Sequence, residues 1–266
     1  MTRRMLSRSI GALLLVAAAS GVALAQRGGR LTPGAQDGEF DKLNIPYDGR
    51  VSFARLRFTP ARTGWGGGGG FFGGVNYQWD HDYPRADKHF TTILGELTTA
   101  EMSRGTELVA IGSPELFRYP IGYLCEPGWW TMTDAEALNL RNYLLKGGVL
   151  IFDDFAGGGP LSNLQTQLHR ILPDARLIPL PLSHPVFHTF FEIPTLEFRH
   201  PYYNVMAEFY GIFENNDPNG RLMAIANYNN DIGESWEWSD TGLFPIDQTN
   251  EAYKIGVNYF VYALTR

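Results

Sequence analysis

Cysteine is nearly absent from this chain: among 266 residues there is one, Cys125. A lone cysteine excludes an intramolecular disulfide framework and any zinc site built from several thiolates. It also suits an oxidising compartment, where spare thiols are a hazard. Positive charge is in short supply, with 22 Lys and Arg against 28 Asp and Glu. Such a balance does not favour nucleic-acid binding, which rests on neutralising phosphates. No G-x-S-x-G occurs, so the ordinary serine-hydrolase elbow is missing. Beyond the first 25 residues no apolar run reaches the roughly 20 residues that a bilayer span requires. What is present is apolar material, 44% of the chain with 14% aromatic, enough for a core and too much for wholesale disorder.

Residues 1–25 read as a secretory signal peptide. Arg3, Arg4 and Arg8 precede an apolar stretch from about Ile10 to Leu24, and Ala23-Leu24-Ala25 offers the small residues for cleavage before Gln26. The alternative is an uncleaved anchor. Thr2-Arg3-Arg4-Met5-Leu6 partly matches a twin-arginine signal. The expected location is therefore periplasmic or extracellular. Without the three leading arginines, 19 basic residues face 28 acidic ones, a net charge of −9.

Residues 26–50 lack a sustained apolar period and read as a linker or extended arm. Residues 51–266 read as one α/β domain with a glycine-rich insertion at 64–74, which carries Trp65, Phe71 and Phe72. A phosphate-cradling loop is one reading of that run, but no Lys-Ser/Thr follows it. A surface insertion tethered by its aromatics, or docked on a partner, is the other.

From Val51 onward, strands and helices alternate. Val51–Phe58 has period two, and Phe90, Ile93, Leu94 and Leu97 mark one face of a helix over Ala86–Glu101. Leu108–Ile111, Val149–Phe152, Arg176–Leu180 and Leu222–Ala226 are short apolar runs of the kind that form buried strands. Thr133-Asp134-Ala135-Glu136 is a capping box, and its helix ends at Gly147-Gly148. Pro160 suits the first turn of a helix reaching Leu172, and Thr249 the cap of a last helix. The pattern predicts a three-layer α/β sandwich with a mainly parallel sheet. Sites in such sheets form beyond the carboxyl ends of the strands.

Polar groups follow four of the expected elements. Glu115 comes after Leu108–Ile111, and Asp153-Asp154 after Val149–Phe152. Asn229, Asn230, Asp231 and Glu234 follow Leu222–Ala226, while Trp79-Asp80-His81-Asp82 lies between the first strand and its helix. Crowded carboxylates do acid–base work or hold a hard cation. Asp and Asn after a strand are also ordinary turn formers and helix caps. His184 and His188 form an H-x₃-H pair, yet Pro185 and the neighbouring phenylalanines specify neither a helix nor a third ligand. Cys125 precedes Glu126-Pro127-Gly128, which does not lead straight into a helix as a nucleophile elbow would. Trp236 and Trp238 would share one side if extended, lining a cleft beside Glu234 and Glu237 or covering the sheet edge.

The segments FARLRF, WDHDYPRADKHF, GWWTMTDAEALNLRNYLLKGGVLIFDDF, SHPVFHTFF, NYNNDIGESWEW and AYKIGVNYFVYALT occur in this order. Together they resemble the bacterial family called domain of unknown function 4159. The resemblance covers about residues 51–266. It implies a flavodoxin-like, class I glutamine amidotransferase-like fold and no established activity. That wider superfamily uses Cys, His and Glu, with Cys on a G-x-C-x-G turn, and this sequence has no such turn.

Two functional expectations follow. The first is an exported, non-catalytic module that binds an envelope ligand or protein, with Glu115, Asn230, Glu234, Trp236 and Trp238 as candidate contacts. The second is a hydrolase using Asp153, Asp154, Asp231 and His184. No cofactor is called for beyond a possible divalent cation in that acidic cluster.

Overall fold

The computed structural model describes residues 47–61, 78–103 and 107–266. Residues 1–25, read as a signal peptide, most of the expected arm at 26–50 and the glycine run at 64–74 lie outside the described residues. In chain order the elements are β1 (Phe53–Arg57), β2 (Thr59–Pro60), α1 (Arg85–Leu97), β3 (Leu108–Ala110), β4 (Ile121–Cys125), β5 (Trp130–Thr131), α2 (Asp134–Leu145), β6 (Val149–Phe155), α3 (Gly158–Ile171), β7 (Ile178–Pro179), β8 (Glu208–Phe213), β9 (Leu222–Tyr228), α4 (Ile232–Glu237) and α5 (Ile246–Thr265).

Seven strands form one sheet in the order β3-β1-β4-β6-β9-β8-β7. The first five are parallel, and β8 runs antiparallel to both β9 and β7. A short β2–β5 ribbon stands apart. Period-two alternation sends side chains to two faces. Leu56, Leu124, Leu150, Phe152 and Ala224 pack under α2 and α3. Ile121, Tyr123, Cys125, Ile151 and Ile225 pack under α1, α4 and α5. The result is the three-layer sandwich that the alternating pattern predicts. No helix among the described residues is long and apolar enough to cross a membrane.

The capping box at Thr133 is formed in full. Its hydroxyl accepts the Glu136 N–H, and Glu136 Oε2 accepts the Thr133 N–H at 2.7 Å. Thr133→Ala is expected to cost about 1 kcal/mol, read as a fall of a few degrees in Tm.

Four expectations need adjustment. The first helix stops at Leu97, where the Thr98 N–H bonds the Leu94 carbonyl, rather than at Glu101. The last helix starts at Ile246 after Pro245, so Thr249 is inside it with its N–H on the Pro245 carbonyl. Arg176–Leu180 shrinks to Ile178–Pro179 at the sheet edge. Ser235–Trp238 is not extended, because Ile232–Glu237 is helical with Asp231 as its cap.

Candidate functional site

The carboxyl ends of β4, β6 and β9 meet the Gln78–Pro84 turn and the start of α4. Each of these junctions contains a non-glycine residue in the left-handed region. Asp82 has φ +62°, Glu126 after β4 +49°, Asp154 in β6 +58° and Asn229 after β9 +55°. Such backbone costs about 1–3 kcal/mol per residue and gathers at working sites. At Asp154 the ladder with β9 shifts register between Phe152 and Phe155.

His81 stands at the centre. Its Nδ1 is 2.5 Å from Asp154 Oδ2, 3.6 Å from Asp82 Oδ1 and 3.8 Å from Glu126 Oε1. Its Nε2 faces Glu234 Oε2 at 4.0 Å. Burial opposes charge on this imidazole. The Asp82 and Asp154 charges and the Asp154 hydrogen bond overcome it and hold the pKa well above the usual histidine range. Asp154 is the counterpart. Burial pushes its carboxyl up, but the His81 charge and hydrogen bond bring it below the ordinary value.

Around this pair the remaining acids are deeply buried. Burial, then the Asp154 and Asp82 charges, push Asp231 well up. Burial and Asp82 push Glu234 up to about 9 and Glu237 up to about 8. Glu234 Oε1 accepts the Tyr202 hydroxyl, whereas its Oε2 accepts no N–H. Asp82, which is 1% exposed, accepts no N–H on either oxygen; it faces His81 Nδ1 at 3.6 Å and the Glu234 carboxyl, whose pKa that contact helps to raise. Several buried carboxyls around one imidazolium are costly to ionise together, so the cluster holds protons, shared between Asp82 and Glu234, or would hold a cation in their place.

Two overlapping donor sets lie within 4.8 Å among themselves: His81, Asp82, Cys125 and Asp154, and His81, Asp82, Asp231 and Glu234. Four ligand atoms around one ion at about 2.0–2.2 Å in a tetrahedron stand roughly 3.3–3.6 Å apart, so the widest-spaced atoms of either set would have to close by as much as roughly 1–1.5 Å. Imidazole with carboxylates suits zinc, manganese or iron.

Asp153 belongs to the same place but offers no free oxygen. Its Oδ1 accepts Asn227 Nδ2, and its Oδ2 accepts the Tyr123 hydroxyl and the Ile232 and Gly233 N–H groups. Burial raises its pKa to about 6, with these donors pulling back. It pins the start of α4 to β6 and is a scaffold for Asp231 and Glu234. Arg55 is the other scaffold. Its guanidinium pairs with Asp87 of α1 at 3.1 Å, donates to the His81 carbonyl and lies 4.5 Å from the Tyr123 ring centre.

Several expected site residues are elsewhere. His184 packs against Phe213 and Tyr262 and lines a cavity of about 620 Å³ with Val149 and Leu222, the first residues of β6 and β9. That is the opposite edge of the sheet from Asp154, because the chain turns back at Pro181, whose carbonyl accepts the His184 N–H. His188 pairs with Glu192 and the Leu182 carbonyl rather than sharing a ligand with His184. Glu115 sits in a turn after edge strand β3 and pairs with exposed Arg118 at 2.6 Å. Trp236 is 1% exposed and stacked on Phe90 at 4.2 Å, a core residue and not a cleft wall. Trp238 turns away beneath the Arg85 guanidinium, since residues two apart on a helix diverge. Asn230 is buried beside Phe155, its Nδ2 without a hydrogen-bond partner.

Cys125 is at the cluster, but not as an activated nucleophile. It is fully buried and its thiol donates to Asp154 Oδ2 at 3.6 Å. Burial and the Asp154 charge push its pKa well up. A thiolate nucleophile needs the reverse.

Fold and site together define a three-layer α/β protein with a buried acid-and-imidazole cluster at the carboxyl edge of its parallel strands. The chain belongs to the family described as Domain of unknown function (DUF4159), whose model matches residues 57–264. No curated protein matches it.

Proposed function

We propose that this protein is an exported hydrolase whose strand-end cluster works with a divalent cation. The observation that carries the reading is the convergence on His81 of the buried Asp82 and Glu234 carboxyls, whose facing oxygens accept no N–H. Export rests on the arginine-led apolar segment and its Ala-Leu-Ala ending. A bound cation would lower the pKa of a coordinated water towards neutrality and polarise an electrophilic oxygen. The protein supplies the rest. Asp153 and Arg55 fix the walls, and Asp154 orients the imidazole. His81, Asp154 and Glu126, with side chains 12%, 13% and 17% exposed, form the mouth where a substrate would meet solvent.

The test is hydrolysis of a panel of chromogenic phosphoesters, carboxylic esters, amides and glycosides by the full chain, with EDTA, Mn²⁺ or Zn²⁺ added. At least one class should be hydrolysed, stopped by EDTA and restored by metal. His81→Ala should lower that rate at least about 100-fold, in the range seen for lost acid–base or ligand groups. A protein that keeps no metal and turns over no substrate overturns the reading.

The binding-module reading keeps one favourable observation. Tyr203, Leu243 and Ile246 expose apolar surface near Tyr202 and Phe244, which are in ring contact.

A further inference from the structure

We infer that the cluster takes two divalent cations, with the Asp82 carboxylate bridging them. This rests on the cation reading above and goes beyond it in number and arrangement. The two donor sets share His81 and Asp82 and otherwise differ: Cys125 and Asp154 complete one, Asp231 and Glu234 the other.

Asp82 is placed between them. Its Oδ1 is 3.6 Å from His81 Nδ1, the nitrogen that faces Asp154. Its Oδ2 lies against the first turn of α4, 2.6 Å from where a Cβ on Gly233 would stand. That turn carries Asp231 and Glu234. A carboxylate 1% exposed, with one oxygen towards His81 and the other against the turn that carries Asp231 and Glu234, is placed to bridge once the proton it shares with Glu234 is displaced. Gly233 is required for the arrangement, because any side chain there would meet Asp82 Oδ2 and the Tyr123 hydroxyl.

Charge points the same way. Asp82, Asp154, Asp231 and Glu234 all reach the donor sets. The nearby Arg55 is committed to Asp87. With metal displacing their protons, these four carboxylates and the Cys125 thiolate carry five negative charges, which two dications offset to within one and a single dication does not. Paired cations in hydrolases stand roughly 3.5–4 Å apart and clamp the attacking and leaving oxygens. A single bridging carboxylate suits that separation. His81 would belong to one ion through one nitrogen, and Cys125 Sγ to the ion that Asp154 also holds, its proton displaced on binding.

The experiment is metal stoichiometry on the folded full chain. The protein is stripped with EDTA, equilibrated with Mn²⁺ or Zn²⁺, freed of excess ion and measured by mass spectrometry. The Mn²⁺ form is also read by electron paramagnetic resonance. Two ions per chain and an exchange-coupled manganese signal are expected. Asp154→Asn should retain one ion with an uncoupled signal, and so should Asp231→Asn. Asp82→Asn should lower both occupancies, with circular dichroism confirming that it is folded. If it does not fold, the Asp154 and Asp231 variants carry the test alone. One ion in the wild type, or an exchange-coupled signal retained by both single variants, overturns the pair while leaving a cation-dependent hydrolase intact. No ion in the wild type overturns both.

Discussion

Trp236→Ala is expected to cost the fold about 3–5 kcal/mol, the range for removing a large buried aromatic. At roughly 2–4 °C per kcal/mol for a domain of this size, Tm should fall by about 6–20 °C. The indole is fully enclosed. It stacks on Phe90 of α1, lies 5.8 Å from the Tyr123 ring of β4 and stacks again with Tyr253 of α5. One side chain therefore joins three elements to the short α4 helix. On the α5 side it touches Gly256, where a Cβ would come within 2.5 Å of Cζ2, so the residue fills its space without slack. Trp238→Ala, two residues on, removes a ring that lies beneath Arg85 and is only partly buried, and should cost far less. Thermal denaturation of the two variants distinguishes core from cleft. Equal, small shifts would return both tryptophans to a binding surface.

The same pair shows what was legible in the sequence. Layering, the parallel strands and the edge at which polar groups collect all follow from runs such as Val149–Phe152 and Leu222–Ala226, whose patterns are local. Strands β4 and β8 were not legible. Each carries an internal glycine, in IGYLC and EFYGIF, which breaks the apolar run. Gly122 answers to neighbours distant in sequence, and Gly211 to Phe213 two residues on and to Leu222 of the paired strand. A Cβ on Gly122 would strike Leu150 and Leu56, and one on Gly211 would strike Phe213 and Leu222. Missing β4 hid the place of Cys125 at its carboxyl end, beside Asp154.

Asp153, Asp154, Asp231 and Glu234 were visible as strand-end acids, but their division of labour was not. Asp153 becomes a saturated anchor only because α4 starts where two N–H groups reach it. His81 was visible as a histidine between acids, while its selection over His184 depends on which edge of the sheet each loop reaches. Arg55 sat inside a strand pattern, where an arginine reads as a solvent-facing residue. Its burial against Asp87 is a consequence of packing between β1 and α1.

Protein stripped of cations should lose stability as pH rises from 5.5 to 8.5, and divalent metal should reverse the trend. The sign follows from the direction of each shift. Glu234, Glu237 and Asp231 are all pushed up by burial. An acid held neutral in the fold but ionised in the unfolded chain contributes stability below its ordinary pKa. That contribution fades as pH climbs to the folded value, about 9 for Glu234 and about 8 for Glu237. His81, raised by its acidic neighbours, adds in the same direction above its ordinary value. Asp154, lowered by His81, gives way only in more acid solution and lies outside this window. For Glu234 alone, three pH units at about 1.4 kcal/mol each amount to on the order of 4 kcal/mol. A fall in Tm of roughly 8–16 °C is the expected scale in EDTA. With Mn²⁺ or Zn²⁺ the carboxylates are wanted ionised, protons compete with metal, and stability should instead increase towards pH 8.5. Melting curves at the two pH values, with EDTA and with metal, make the comparison. Parallel curves in both conditions would mean that the cluster neither holds protons nor exchanges them for a cation.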